Sequence, residues 1–92
     1  MSPEMHDEPN SSRWVAHVDG VRAGVADYTL VDGVLTFTHT VVEDAYEGRG
    51  IGSALVRTAL DAARDRGLAV VPRCPFVARW IQKHPEYADL VA

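Results

Sequence analysis

A single cysteine, Cys74, stands in 92 residues, so no internal disulfide can form. With no CxxC pair, the chain also lacks the ligand spacing of zinc and dithiol redox sites, and no metal is expected. Lysine is almost missing: Lys83 accompanies eight arginines, and these nine basic residues face thirteen acids, for a net charge of -4. The basic residues are scattered along the chain, which argues against nucleic acid as a partner, since phosphate backbones need a basic footprint. No apolar run approaches the roughly 20 residues that cross a bilayer. The first residues, MSPEMHDEPNSS, have neither the positive start nor the apolar centre of a signal peptide. A cytoplasmic protein with no membrane partner is the expectation.

What is present fits one small domain, because chains divide only well above this length. Residues 1–12 mix Pro, Ser, Asn and acids and read as a flexible tail, leaving 13–92 as the folded unit. Trp14 to Val18 alternates as a short strand ending at Asp19-Gly20, and Ala23 to Leu30 is a second. Asp32-Gly33 is a hairpin signal, and the β-branched run Val34 to Val42 is a third strand. The period then changes. Ile51, Leu55, Val56, Ala59, Leu60 and Ala63 fall on one helical face, and Gly67 supplies the stop. Leu68 to Val71 is a short apolar strand, Pro75 opens a second helix, and His84-Pro85 ends it. The spacing predicts an α+β fold, β-β-β-α-β-α, with a mixed, mostly antiparallel sheet and a helix on each face.

The turn Gly48-Arg49-Gly50-Ile51-Gly52-Ser53 lies between a strand and a helix. Glycine admits positive φ and close backbone approach, and the first helical N–H groups lack internal partners at the positive end of the helix dipole. Together these can cradle a pyrophosphate. The plainer account is a tight strand-to-helix turn. A nucleotide P-loop would need a lysine, where Ser53-Ala54 stands, and a dinucleotide fingerprint would need a third glycine at Ser53. A coenzyme A motif accommodates Gly50 and Gly52 but has Glu47 where a basic or amide residue belongs.

Three blocks in order, His39-Thr40-x-Val42, Glu47 to Gly52, and Cys74-Pro75-Phe76-Val77 with His84-Pro85-Glu86-Tyr87, resemble the minimal Gcn5-related N-acetyltransferase-like family over about Val15 to Val91. The resemblance implies that acetyl-CoA is a cosubstrate, with its pyrophosphate on the backbone of Gly48, Arg49, Gly50, Ile51, Gly52 and Ser53. It implies a pantetheine arm held like a strand by Val41 and Val42 near Cys74 and Pro75, and an amine as acetyl acceptor. Glu47, facing a polyanion, departs from the pattern. So does the second helix, whose inward residues are Val77, Trp80 and Ile81, with no tyrosine to protonate a thiolate.

Two residues are candidates for catalysis. Cys74, at the expected start of the second helix beside Arg73, could be nucleophile or acid, since that position favours thiolate. The structural alternative is a small buried hydrophobe. His39 could accept a proton from the amine, yet strict alternation puts it with Leu35, Phe37 and Val41 on an interior face unless a bulge re-aims it. Glu43, Asp44 and Glu47 could attract a cationic amine or form a solvated loop. No long exposed apolar stripe calls for a dimer, and a monomer is expected.

Overall fold

Two Asp-Gly turns set the register of the sheet. Asp19-Gly20 and Asp32-Gly33 hold all four residues at positive φ, between 51° and 79°, as two-residue hairpins with mirror-image turns require. They join β2 (Arg13–Val18), β3 (Val21–Val31) and β4 (Val34–Val42) into an antiparallel meander. The computed structural model describes residues 3–92. After β4 come α1 (Ile51–Asp65), β5 (Ala69–Pro72) and α2 (Pro75–Lys83). β5 runs parallel to β4, from Val34 opposite Ala69 to Phe37 opposite Pro72.

A strand precedes this series, within the segment expected to be a flexible tail. β1 (Glu4–Glu8) pairs antiparallel with all of β2 except its last residue, giving a sheet ordered β1-β2-β3-β4-β5. Alternation explains it: Met5 and Asp7 turn inward while Glu4, His6 and Glu8 face water. Met5 packs on the cluster of Ala16, Ala23, Ile51 and Leu55. Asp7 accepts a 2.6 Å hydrogen bond from Tyr28 Oη. The charged residues of β1 obscured this period in the sequence. They also suit an edge strand, which charge protects from pairing with other chains.

The helices differ from expectation as well: both lie on one face of the sheet. Val56, Leu60 and Ala63 of α1 and Val77, Trp80 and Ile81 of α2 share one core with Tyr28, Leu35, Phe37 and Val70. The two helices touch directly, Trp80 Nε1 donating to Ser53 Oγ at 2.7 Å. On the other face a single rank of valines, Val15–Val25–Val41, lies beside the polar rank Glu8–Arg13–Asp27–His39. One apolar rank is too narrow a stripe to seat a helix. The C-terminal segment folds back on α1, where Arg64 reaches both Asp89 oxygens at 2.9 and 3.0 Å and Tyr87 Oη donates to Asp61 at 2.6 Å.

Candidate functional site

The site begins at an irregularity in β4. Tyr28 lies opposite Phe37, but Asp27 lies opposite His39, so Thr38 is an extra residue on the β4 side. Such a bulge reverses which face each later side chain takes. Leu35 and Phe37 are buried under the helices, while His39 and Val41, expected to share their face, are exposed on the other. Thr40 and Val42 take the helix side instead. Strict alternation failed here by one residue.

Beyond the bulge, β4 also loses its parallel neighbour. The last ladder pair is Phe37 with Pro72, followed by a 2.9 Å bond from Cys74 N–H to the Phe37 carbonyl. The chain then turns away into α2. Glu43 N–H donates to the Ala23 carbonyl at 2.8 Å. Because backbone groups alternate along a strand, those of Val41 also point to β3, and those of Thr40 and Val42 point into the gap left by β5.

The glycine turn closes this gap from the other side. Gly50 caps α1 at φ 75°, in the left-handed region, with no side-chain cap. Asparagine, serine or aspartate would have filled that role and blocked access to the helix end. The first helical bond runs from Ala54 N–H to the Gly50 carbonyl at 3.0 Å. The N–H groups of Ile51, Gly52 and Ser53 are therefore left without helical partners, at the positive end of a 15-residue helix with no acid in its first turn. At Gly52 a Cβ would stand 2.8 Å from Phe76 Cζ and 3.4 Å from Val42 Cγ2. Glycine here leaves room for the Phe76 ring, which a Cβ would have to displace.

The result is a cleft of about 390 Å³ whose walls include Thr40, Val42, Glu47, Gly50, Gly52 and Phe76. Gly48, Ile51 and Ser53 also border it, so six of the residues singled out in the sequence for cofactor contact converge here. Four others do not line it. The Val41 side chain is half exposed on the opposite face. The Arg49 guanidinium lies over the Tyr46 ring, 5.4 Å from its centroid. Cys74 is buried against Thr40, and Pro75 is exposed outside the cleft. The sequence reading overlooked Thr40, Tyr46 and Phe76 as lining residues. Thr40 was hidden by the bulge, and Phe76, the second residue of α2, is 39% exposed at the rim.

Cys74 is buried, its Sγ 3.5 Å from Thr40 Oγ1, so that the thiol donates to a hydroxyl that itself borders the cleft. Burial pushes this thiol up. Against this, once the sulfur is ionised the Thr40 hydroxyl can turn to donate to it, and with the backbone at Val77, Phe76 and Thr40 this favours the thiolate and holds the thiol below its ordinary value. His39 and Cys74 are thus on opposite sides of β4, not in contact. Among the described residues no group of three or more His, Cys, Asp or Glu converges as a metal site.

A family model described as GCN5-related N-acetyl-transferase matches residues 13–90. The chain belongs to that family. The match spans β2 to α2 and the C-terminal segment as far as Leu90. Human Protein NATD1 is 33% identical over 52 residues, covering 56% of this chain and 46% of NATD1. The chain thus spans about half the length of that relative. Among solved structures, a GCN5-like protein from Staphylococcus aureus superposes with a TM-score of 0.74 at 22% identity, over 97% of this chain and 87% of that one. AAC(6')-Iy, solved with the bisubstrate analogue CoA-S-monomethyl-acetylneamine, gives 0.54 at 20% identity, over 82% and 58% of the two chains. Both likenesses show the shared fold: a mixed, mostly antiparallel sheet backed by helices.

Proposed function

We propose that this member of the family is an acetyl-CoA-dependent N-acetyltransferase acting on an amine. The observation that carries the reading is the juxtaposition of an uncapped helix end at Gly50 with the unpaired half of β4, across one cleft. The first suits a pyrophosphate and the second an extended amide-bearing arm, the two chemical features of coenzyme A. The CoA analogue held by AAC(6')-Iy, on the same fold, supports the same ligand.

In this reading the pyrophosphate is held by the N–H groups of Ile51, Gly52 and Ser53, and the pantetheine amides pair with Thr40 and Val42. A further backbone N–H on the same unpaired edge then polarises the thioester carbonyl, as donors aimed at developing negative charge do. The amine nitrogen attacks the carbonyl carbon, forming the new C–N bond as the C–S bond breaks. His39, exposed on the open face, takes the proton of the attacking nitrogen directly or through water. Cys74, on the helix face behind Thr40, returns a proton to the departing thiolate through the Thr40 hydroxyl. Glu47, the one acid lining the cleft, weakens affinity for the polyanionic donor.

Two observations favour a second reading. Cys74 is only 5% exposed and α2 presents no tyrosine, which suits a module that binds acyl-CoA without turnover. Thiol release from acetyl-CoA, measured across a panel of primary amines and polyamines, separates the two. Amine-dependent release that falls in His39→Ala and Cys74→Ala supports transfer. Saturable binding of acetyl-CoA with no release on any amine would establish the binding module instead, and release unchanged in Cys74→Ala would remove the cysteine from the mechanism.

A further inference from the structure

We infer that a second groove, along α2, is an anion subsite that reads the 3′-phosphate of coenzyme A. This rests on the acetyl-CoA reading above. The groove measures about 320 Å³ and is lined by Ser53, Phe76, Arg79, Trp80, Lys83 and His84. Ser53 and Phe76 line the first cleft too, so the two are continuous across that pair. A ligand with its pyrophosphate at the start of α1 and its thioester beside β4 carries its nucleoside on the far side of the pyrophosphate. The groove on α2 is where the cleft continues.

Its charge sets it apart from the rest of the molecule. Three of its six lining residues are basic or imidazole-bearing and none is acidic, in a chain with thirteen acids and nine arginine and lysine residues. Arg79 and Lys83 stand four residues apart, on one side of the helix. Several other cations are already engaged, Arg13 by Asp27, Arg64 by Asp89, and Arg57 over Trp80 and against Tyr87, whereas Arg22, Arg66 and Arg73, free among the described residues, border neither cleft. Among the described residues neither Arg79 nor Lys83 forms an ion pair, and both side chains are exposed.

The groove's floor, by contrast, is fixed. Trp80 donates to Ser53 Oγ, and His84 stacks on the indole at 3.8 Å between centroids and 14° between planes. His84 Nδ1 lies 2.7 Å from the Trp80 carbonyl. A carbonyl only accepts, so Nδ1 carries the hydrogen and Nε2 is the remaining ring nitrogen. Two unengaged cations over a rigid aromatic floor suit a phosphate monoester at the end of a nucleoside, through charge-assisted hydrogen bonds.

The test compares coenzyme A with dephospho-coenzyme A, which lacks only that phosphate, by isothermal titration against the wild-type chain and the double variant Arg79→Gln/Lys83→Gln. Both substitutions are at exposed positions, and circular dichroism checks that the fold is kept. The expected result is about a tenfold preference of the wild type for coenzyme A, reduced to near parity in the double variant because coenzyme A binding weakens. Equal binding of both compounds by the wild type would overturn the inference and leave the acetyl-CoA reading standing. A preference undiminished in the double variant would overturn it as well, by placing the phosphate elsewhere. Binding of neither compound would bring down the acetyl-CoA reading and this inference with it.

Discussion

The two halves of β4 share one strand and differ in nearly everything else. Val34 to Phe37 is paired on both edges, with β3 and with β5, and its side chains alternate cleanly between core and open face. His39 to Val42 is paired on one edge only, and its side chains face the reverse way because Thr38 intervenes. The first half is a packing element. The second trades a neighbour for a cleft, and its exposed backbone groups are what a ligand can use.

The largest effect expected from breaking that contrast is on the packing half. Phe37 is fully buried, and Phe37→Ala should cost about 3–5 kcal/mol by urea denaturation. His39→Ala, two residues on and exposed, should change stability by less than about 0.5 kcal/mol. Equal costs at the two positions would deny that the bulge separates them.

Tyr28, directly opposite Phe37, sharpens the same side of the comparison. Burial, then the hydrogen bond and charge of Asp7, push its phenol up to about 12 from 10.0. The folded state therefore holds the proton more tightly than the unfolded one. The resulting stability is complete below pH 10 and is lost as pH rises toward 12. The hydroxyl's bond to Asp7 is worth about 1 kcal/mol. Thermal unfolding of wild type and Tyr28→Phe between pH 8 and 12 measures it. The variant should lose less stability than the wild type over the upper part of that range, the remaining slope coming from Tyr87, whose phenol is raised by its bond to Asp61.

The smallest expected effect is on the cleft half. Glu47→Gln should tighten acetyl-CoA binding by about threefold at low salt, the scale of one exposed charge interaction, and the gain should shrink as salt rises. Weaker binding in this variant would show that Glu47 helps to hold the ligand.

Much of the fold was legible in the residues. The Asp-Gly turns, the apolar face of α1, the stop at Gly67 and the start of α2 at Pro75 are all local signals, each tied to a backbone conformation that few residues adopt. The glycine turn was legible for the same reason. Three features were not. β1 hides its alternation under charge, because Met5 and Asp7 find partners only after β2 and β3 are in place. The shared face of the two helices depends on how wide an apolar stripe each side of the finished sheet offers. The bulge at Thr38 has no residue signature of its own, so strict alternation alone puts His39 on the wrong side of its strand, and the re-aiming bulge could be named only as an alternative. Those are properties of strand pairing, which a single strand's sequence does not encode.

The central claim is that the pyrophosphate and the acetyl-pantetheine arm are recognised by the start of α1 and the unpaired half of β4, and not by the paired half of that strand. An amide NMR titration with acetyl-CoA tests it most directly. The account predicts that backbone amides of Thr40, Val42 and Gly48 to Ser53 shift together and saturate, while those of Leu35 to Phe37 stay in place. Saturating shifts centred on the first half of β4, or no shifts at the glycine turn at any reachable concentration, would contradict it.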